Sequence, residues 1–226
     1  MDKEWSDKNK EIQTLLSKEA TFKEAIKKLI AFRGDMFNRI TQIVDAYSEE
    51  AFFLMPFAGA DGYHSKTLAY SVWHIFRIED IVAHEMIAED EQILFREEFL
   101  IKTASPIITT GNELEGEEIA EFSKKLKVKE LYLYAKAVKE STDQILLQLQ
   151  YKDIKKKFTE ETKQKLIKSK CVSEDENAFW LIDYWCGKDI KGLIKMPFSR
   201  HWIMHIEAMR RIEKRLCKIA GKEIKE

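Results

Sequence analysis

Residues 198–219, FSRHWIMHIEAMRRIEKRLCKI, form the stretch that decides the fold. Apolar residues recur there at intervals of three and four positions, which predicts an amphipathic α-helix with one buried stripe. His201 and His205 lie on this stripe, four residues apart. The stripe's other members are apolar: Phe198, Ala208, Met209, Ile212 and Leu216. The sequence therefore predicts a last helix that turns two imidazoles towards the protein interior.

The same periodicity predicts further helices upstream. Thr21 is a predicted N-cap, with Glu24 completing a capping box, and Ser65 is predicted to open a later helix. The predicted long helices are residues 21–47, 65–89, 128–150 and 198–219, with shorter ones at 3–18 and 117–126. The irregular segments 91–127 and 151–197 are predicted to be long connections with short helical pieces. No alternating pattern predicts strands. We therefore expect a single all-α domain over residues 1–226, built as a four-helix bundle with long connections and short extra helices.

Composition and net charge argue against a nucleic-acid-binding or membrane protein. The 226 residues include 38 basic and 39 acidic side chains, so the net charge of −1 offers no general attraction for nucleic acid or an anionic membrane. No apolar run approaches the ~20 residues that span a bilayer, and the charged N-terminus lacks a signal core. The cysteines are odd in number, which is typical of a protein in a reducing compartment: Cys171, Cys186 and Cys217. We expect a cytoplasmic protein without nucleic-acid or membrane partners, and a homodimer stays open.

The histidines suggest a metal site. His201 and His205 share one helix face because an α-helix turns by about 100° per residue, and such a pair can bind one metal ion. His74 lies in the middle of the 65–89 helix, on a stripe with Ser71 and Ile78, and is the predicted third ligand. The alternative is that all three are core histidines whose ring nitrogens are satisfied by hydrogen bonds.

The two remaining histidines are not predicted ligands. His84 lies ten residues after His74, about 80° away around the helix, which predicts a peripheral position. His64 precedes the helix in a predicted loop, near the mouth of the bundle.

Charged and aromatic residues flank the predicted ligands. Arg77 and Arg200 are candidates to bind an anionic substrate, and the favoured alternative for each is a surface or capping salt bridge. Acidic neighbours are candidates to orient the imidazoles or are solvated helix charges: Glu79, Asp80 and Glu207. Trp73 and Trp202 adjoin ligands in sequence but are turned aside by the helix, so we expect them to pack in the core or an interface.

Three segments carry a family resemblance. Residues 69–80, AYSVWHIFRIED, resemble the second helix of the DinB/YfiT-like superfamily, in which a W-H-x-x-R-x-E-D segment carries the first metal histidine. Residues 197–207, PFSRHWIMHIE, resemble the HxxxH of that family's last helix, and residues 183–188, DYWCGK, resemble the connection before it in one branch. The resemblance covers about residues 20–219 and implies metal ligation by His74, His201 and His205 in a four-helix bundle.

The resemblance also implies an activity, because members of the family include transferases that use low-molecular-weight thiols such as bacillithiol, mycothiol or glutathione. Two features depart from the family pattern. Ser71 stands where many relatives have a further histidine, and the connections 91–127 and 151–197 are longer than in many members. Both departures concern the substrate more than the metal.

Three hypotheses of different classes follow. The first is a metal-dependent transferase or hydrolase acting on a small molecule, because a divalent ion held by three neutral histidines lowers the pKa of a bound water or thiol. Zinc, nickel and iron(II) all accept such a ligand set. The second is a non-catalytic metal-binding or ligand-binding bundle. The third is a structural helical protein whose histidines only pack.

Overall fold

The computed structural model describes residues 3–59 and 65–219. In these residues helices are the regular elements and no β-strand occurs, so the predicted all-α fold is confirmed. The long helices are α1 (Lys3–Leu15), α2 (Phe22–Ala46), α3 (Leu68–Asp80), α7 (Val128–Gln148) and α11 (His201–Ile219). The shorter helices are α4 (Ile93–Arg96), α5 (Phe99–Lys102), α6 (Glu117–Lys125), α8 (Glu160–Ser169), α9 (Glu176–Cys186) and α10 (Ile190–Lys195). The connections 91–127 and 151–197 thus contain short helices, as predicted.

Two π-helical segments adjoin the long helices. α3 continues directly into Ile81–Ala88, and Met196–Arg200 leads into α11. Short 3₁₀ turns lie at Glu19–Thr21, Glu49–Phe53 and Asp153–Lys155. The predicted helices 65–89 and 198–219 are therefore each part α-helix and part π-helix, a feature that apolar periodicity does not distinguish.

One predicted helix start is wrong, and at another the predicted capping bonds do not form. Thr67, rather than Ser65, caps α3, because its hydroxyl accepts a hydrogen bond from the backbone N–H of Tyr70 at 3.0 Å. Thr21 is the N-cap residue of α2, as predicted, but its side chain forms no capping hydrogen bond; its hydroxyl instead donates to the carbonyl of Leu15 at 2.7 Å. The chain thus uses Thr21 to fasten the end of α1, and the predicted capping box does not form.

α3 is the central helix of the molecule, since all thirteen of its side chains are buried. It packs against α6, α7 and α11, while α2 packs against α7 and α11, and α1 covers α2. A helix that is largely apolar around its whole circumference needs neighbours on every side, which explains this central position. The buried apolar side chains form one continuous cluster. A single domain over residues 1–226 stays a prediction.

A buried polar network links four helices. The guanidinium of Arg33 in α2 donates to both carboxylate oxygens of Glu79 in α3, at 2.6 and 2.9 Å, and to Asp143 in α7 at 2.7 Å. The indole of Trp202 in α11 donates to Glu79 at 2.8 Å. Buried charges are tolerated when they are paired and hydrogen-bonded in this way. The network fixes how α2, α3, α7 and α11 meet.

In residues 3–59 and 65–219, no helix combines the length and the apolar composition that crossing a membrane requires.

Candidate metal centre

The three predicted ligands lie together. His74 of α3 meets His201 and His205 of α11, and one ring nitrogen from each lies within 4.8 Å of the other two. The ring centroids are 4.5 to 5.0 Å apart. Each residue is only 5–7% exposed. The prediction that these three histidines face inward is confirmed, and they lie close enough together that they could hold a metal ion.

The apolar stripe of α11 explains the inward position of its histidines. Phe198, Ala208, Met209, Ile212 and Leu216 are all buried, as predicted. The apolar stripe is buried where α11 packs against α3. His201 and His205 lie on the same stripe, so they face α3 as well.

The orientation of His74 is set by a backbone carbonyl. Its Nδ1 lies 2.9 Å from the carbonyl oxygen of Thr110. A carbonyl only accepts hydrogen bonds, so Nδ1 carries the proton and Nε2 keeps a free lone pair. A metal-binding histidine is commonly oriented by such a contact to its second nitrogen. Thr110 was not among the predicted site residues, because nothing in a loop sequence indicates where one carbonyl will point.

One face of α3 holds the loop that supplies this carbonyl. Four side chains on this face each donate a hydrogen bond to a backbone carbonyl of the loop, at 2.7 to 3.1 Å. The pairs are Tyr70 with Gly111, Trp73 with Thr109, His74 with Thr110 and Arg77 with Ile108. The Thr110 carbonyl is thus held by its neighbours as well as by the imidazole.

Gly111 is required at the end of this loop. Its φ is +79°, and a Cβ there would lie 3.1 Å from the ring of Tyr70. A side chain would therefore meet both backbone strain and the aromatic ring.

The electrostatics favour neutral imidazoles. Burial lowers the pKa of His74 to about 4, even though the bond to Thr110 opposes this shift. Burial, together with the neighbouring histidines, lowers the pKa values of His201 and His205 well below their ordinary value. Neutral imidazole is the form that binds metal, so all three residues are available as ligands at neutral pH.

A buried ring nitrogen of His201 supports a ligand at this site. Its Nδ1 is buried and has no hydrogen-bond partner among the described residues. Leaving such a group without a partner costs about 1–3 kcal/mol. The hypothesis that these are packing histidines requires satisfied nitrogens, and His201 does not meet that condition. Three neutral nitrogen donors fit a divalent ion of intermediate softness, such as zinc, nickel or iron(II).

Lys66 adds a positive charge beside the histidines. Its ammonium lies 4.7 Å from the ring centroid of Tyr70, which in turn stacks on His74 at 5.4 Å. Burial is the largest cause of the lowered pKa values of His74 and His205, and the positive charge of Lys66 lowers both values further. Lys66 was missed because the predicted helix began at Ser65, whereas the structure places Lys66 in the non-helical lead-in to α3, which begins at Leu68.

The two arginines are placed differently. Arg77 is fully buried; its guanidinium donates to the carbonyl of Ile108 at 2.7 Å and contacts Asp80 and Gln92. This arrangement supports the structural alternative for Arg77, and substrate binding by it stays an unsupported prediction. Arg200 is exposed and directly precedes His201, so it remains a candidate for binding an anion.

Glu79 and Asp80 are fully buried and bind structural partners, so they neither orient the clustered imidazoles nor lie solvated on a helix face, the two predicted alternatives. Glu79 binds Arg33 and Trp202. Asp80 accepts from the backbone N–H groups of Ile93 and Leu94, at 2.9 and 3.0 Å, and so caps α4. Glu207 is half-buried.

The tryptophans follow their predicted role. Trp73 and Trp202 are fully buried in the core, as expected.

Among the other histidines, His84 lies outside the cluster but is 1% exposed rather than peripheral. His64 lies outside the described residues. Cys186 is half-buried, and burial raises the pKa of its thiol, which disfavours the reactive thiolate.

A search of protein-family models found no match to the chain, and a search of curated proteins found none either.

Proposed function

We propose that this chain is a four-helix bundle of the DinB/YfiT-like type that binds one divalent metal ion at His74, His201 and His205 and activates a thiol or a water on a small substrate. One observation carries the proposal: three buried imidazoles from two helices converge within 4.8 Å. Without a ligand, the cluster buries the Nδ1 of His201 with no hydrogen-bond partner among the described residues, which costs about 1–3 kcal/mol.

The bundle part of the proposal is supported by the contacts of α2, α3, α7 and α11. Each of these helices packs against two of the others. The network of Arg33, Glu79, Asp143 and Trp202 takes one side chain from each. Metal sites in bundles are commonly built from side chains on facing helices, as α3 and α11 are here.

A bound divalent ion would supply a lowered pKa for a thiol or water. The chain's own residues would do the rest. His74 is held in one tautomer by Thr110, so its lone pair is aimed without rearrangement. Three neutral ligands would leave the positive charge of the site undiminished, and Lys66 would add to it. Lys66 and the exposed Arg200 are therefore the residues suited to attract a carboxylate-bearing cosubstrate.

A second candidate, a non-catalytic metal-binding protein, is favoured by the 5–7% exposure of the three rings. A catalytic site needs room for a substrate beside its ligands, whereas a structural or sensory site is closed. The two candidates differ in whether any reaction depends on the metal.

The distinguishing experiment compares thiol transfer and hydrolysis in metal-loaded protein. A panel of low-molecular-weight thiols is mixed with 1-chloro-2,4-dinitrobenzene, so that sulfur displaces chloride and the thiol proton passes to solvent. A parallel arm contains an activated ester without thiol. Wild type and His205→Ala are measured side by side. We expect thiol transfer at least 10-fold above the variant.

Arg200→Gln and Lys66→Gln should raise the KM for the thiol more than they lower kcat. Arg215→Gln, at an exposed arginine further along α11, is the matched control and should change neither constant for thiol transfer. If only ester hydrolysis depends on the metal, thiol transfer is wrong and a metallohydrolase replaces it. If neither reaction depends on the metal, the non-catalytic candidate is the better one.

A further inference from the structure

A second hydrogen-bonded cluster lies where α3 has become π-helical. The Nδ1 of His84 is 2.5 Å from a carboxylate oxygen of Asp90, and its Nε2 is 3.1 Å from the hydroxyl of Ser141. We propose that Ser141, His84 and Asp90 form a nucleophilic site that hydrolyses small acyl esters. This site is independent of the metal centre proposed above.

The local backbone explains why Asp90 reaches His84. The π-helical segment ends at Glu89, whose left-handed φ of 58° reverses the chain. The N–H groups of Glu89 and Asp90 both bond to the carbonyl of His84, the latter at 3.0 Å. This turn folds Asp90 back over the imidazole. π-helical segments within α-helices are frequent at functional sites.

The three residues have the contacts that nucleophilic catalysis by serine needs. The carboxylate of Asp90 accepts the Nδ1 proton, which leaves the Nε2 lone pair facing Ser141. The serine hydroxyl can then pass its proton to Nε2 as its oxygen attacks. A carboxylate oxygen of Asp80 lies 3.9 Å from Nε2 and adds negative charge that would stabilise the imidazolium.

Arg96 is placed to stabilise an oxyanion. One of its terminal nitrogens is 3.5 Å from the hydroxyl of Ser141, and the other is 3.5 Å from Asp90. Its guanidinium therefore lies next to the atom that would attack. A cation held beside a developing negative charge lowers the barrier of acyl transfer.

A cleft opens onto these residues. It has a volume of about 420 Å³ and is lined by Ser141, His84 and Asp90. Its other lining residues are four apolar side chains and two amides: Ile87, Ala88, Ile145, Leu149, Gln144 and Gln148. Ser141 is half-buried and Asp90 exposed, so a substrate can reach both. The four apolar side chains beside a polar nucleophile fit an ester with a short apolar acyl chain.

The reaction balances with water as the only co-reactant. Ser141 Oγ bonds to the acyl carbon while its proton passes to His84. The bond from that carbon to the alcohol oxygen breaks, and His84 gives the proton to the leaving alcohol. A water then releases the acid by the same route, which restores the serine.

The test uses the full chain and two probes, p-nitrophenyl butyrate and an alkyl fluorophosphonate. In the fluorophosphonate, the serine oxygen displaces fluoride from phosphorus, and the adduct is located by peptide mass spectrometry. We expect one adduct, on Ser141, and none in Ser141→Ala. Asp90→Asn should slow labelling at least 100-fold, since the amide favours the wrong tautomer of His84. Ser17→Ala, at an exposed serine in the turn after α1, is the control and should label like wild type.

Two results would overturn the proposal. One is labelling of Ser141 at an unchanged rate in Asp90→Asn, with far-UV circular dichroism showing an intact fold. The other is butyrate hydrolysis that disappears with chelator or in His205→Ala, because that activity would belong to the histidine cluster. Persistence of hydrolysis and labelling in His205→Ala supports the proposal even if the metal-dependent function fails.

Discussion

α3 carries two buried polar clusters within six residues, and they differ in how well their groups are satisfied. At Glu79, each carboxylate oxygen has a donor, and Arg33 bonds to Glu79, to Asp143 and to the carbonyl of Phe198. At His74, three imidazoles meet, and a nitrogen of His201 has no partner among the described residues. A fully bonded network is sufficient as structure. An incompletely bonded one leaves room for a ligand such as the proposed metal ion.

The largest expected effect on stability comes from a substitution that disrupts the fully bonded cluster at Glu79. Glu79→Gln removes the counter-charge of Arg33 and leaves a buried cation without full compensation. We expect the free energy of unfolding to fall by about 3–5 kcal/mol. Urea denaturation followed by circular dichroism measures it, with the exposed Glu121→Gln as a control that should not change stability. A loss below about 1 kcal/mol would show that the network contributes little.

The histidine cluster should gain stability only from its ligand. Free zinc at about 100 times its dissociation constant should stabilise the folded state by about 2.7 kcal/mol. This corresponds to a higher Tm, which chelator should abolish in wild type. In the triple variant His74→Ala, His201→Ala, His205→Ala, zinc should give no such increase. An equal rise in both proteins would place the bound zinc elsewhere.

Acid should affect the empty histidine cluster through linkage. The folded pKa of His74 is about 4, below its ordinary unfolded value near 6.5. The unfolded state therefore binds protons first, and stability is lost as pH falls from about 6.5 towards 4. Urea unfolding in chelator at pH 7 and pH 5 measures this loss. His74→Gln should show a smaller loss than wild type, and an equal loss in both would contradict the neutral buried state.

The smallest expected effect contrasts most sharply with that of Glu79. In chelator, His201→Leu should change the free energy of unfolding by less than about 1 kcal/mol, or increase it. The substitution removes a buried nitrogen that has no partner among the described residues and keeps an apolar volume. Equilibrium unfolding of metal-free protein provides the value. A loss comparable to that of Glu79→Gln would mean that His201 is a structural residue.

Sequence periodicity was sufficient to find the long helices and the three clustered histidines, because burial imposes its spacing directly on the chain. It did not find the contacts that orient them. Thr110 supplies a carbonyl, a group that every residue has, so its role depends on the path of the loop. Lys66 was placed inside the predicted helix 65–89, but it lies before α3 in the structure, so helical phase gave no guide to its position.

Periodicity also misplaced His84. The predicted angle between His74 and His84 assumed 3.6 residues per turn throughout. The helix becomes π-helical at Ile81, so the side chains beyond that point face different directions. Arg77 was a candidate for substrate binding because a sequence cannot show that a loop will occupy its guanidinium.

Metal content tests the central claim most directly. The protein is purified without a histidine tag, and elemental analysis gives the number of divalent ions per chain. We expect about one in wild type and in His84→Gln, which changes the other buried histidine of the described residues. We expect none in the triple variant of His74, His201 and His205, with circular dichroism confirming its helical fold. Equal metal in wild type and the triple variant would contradict the assignment of the site.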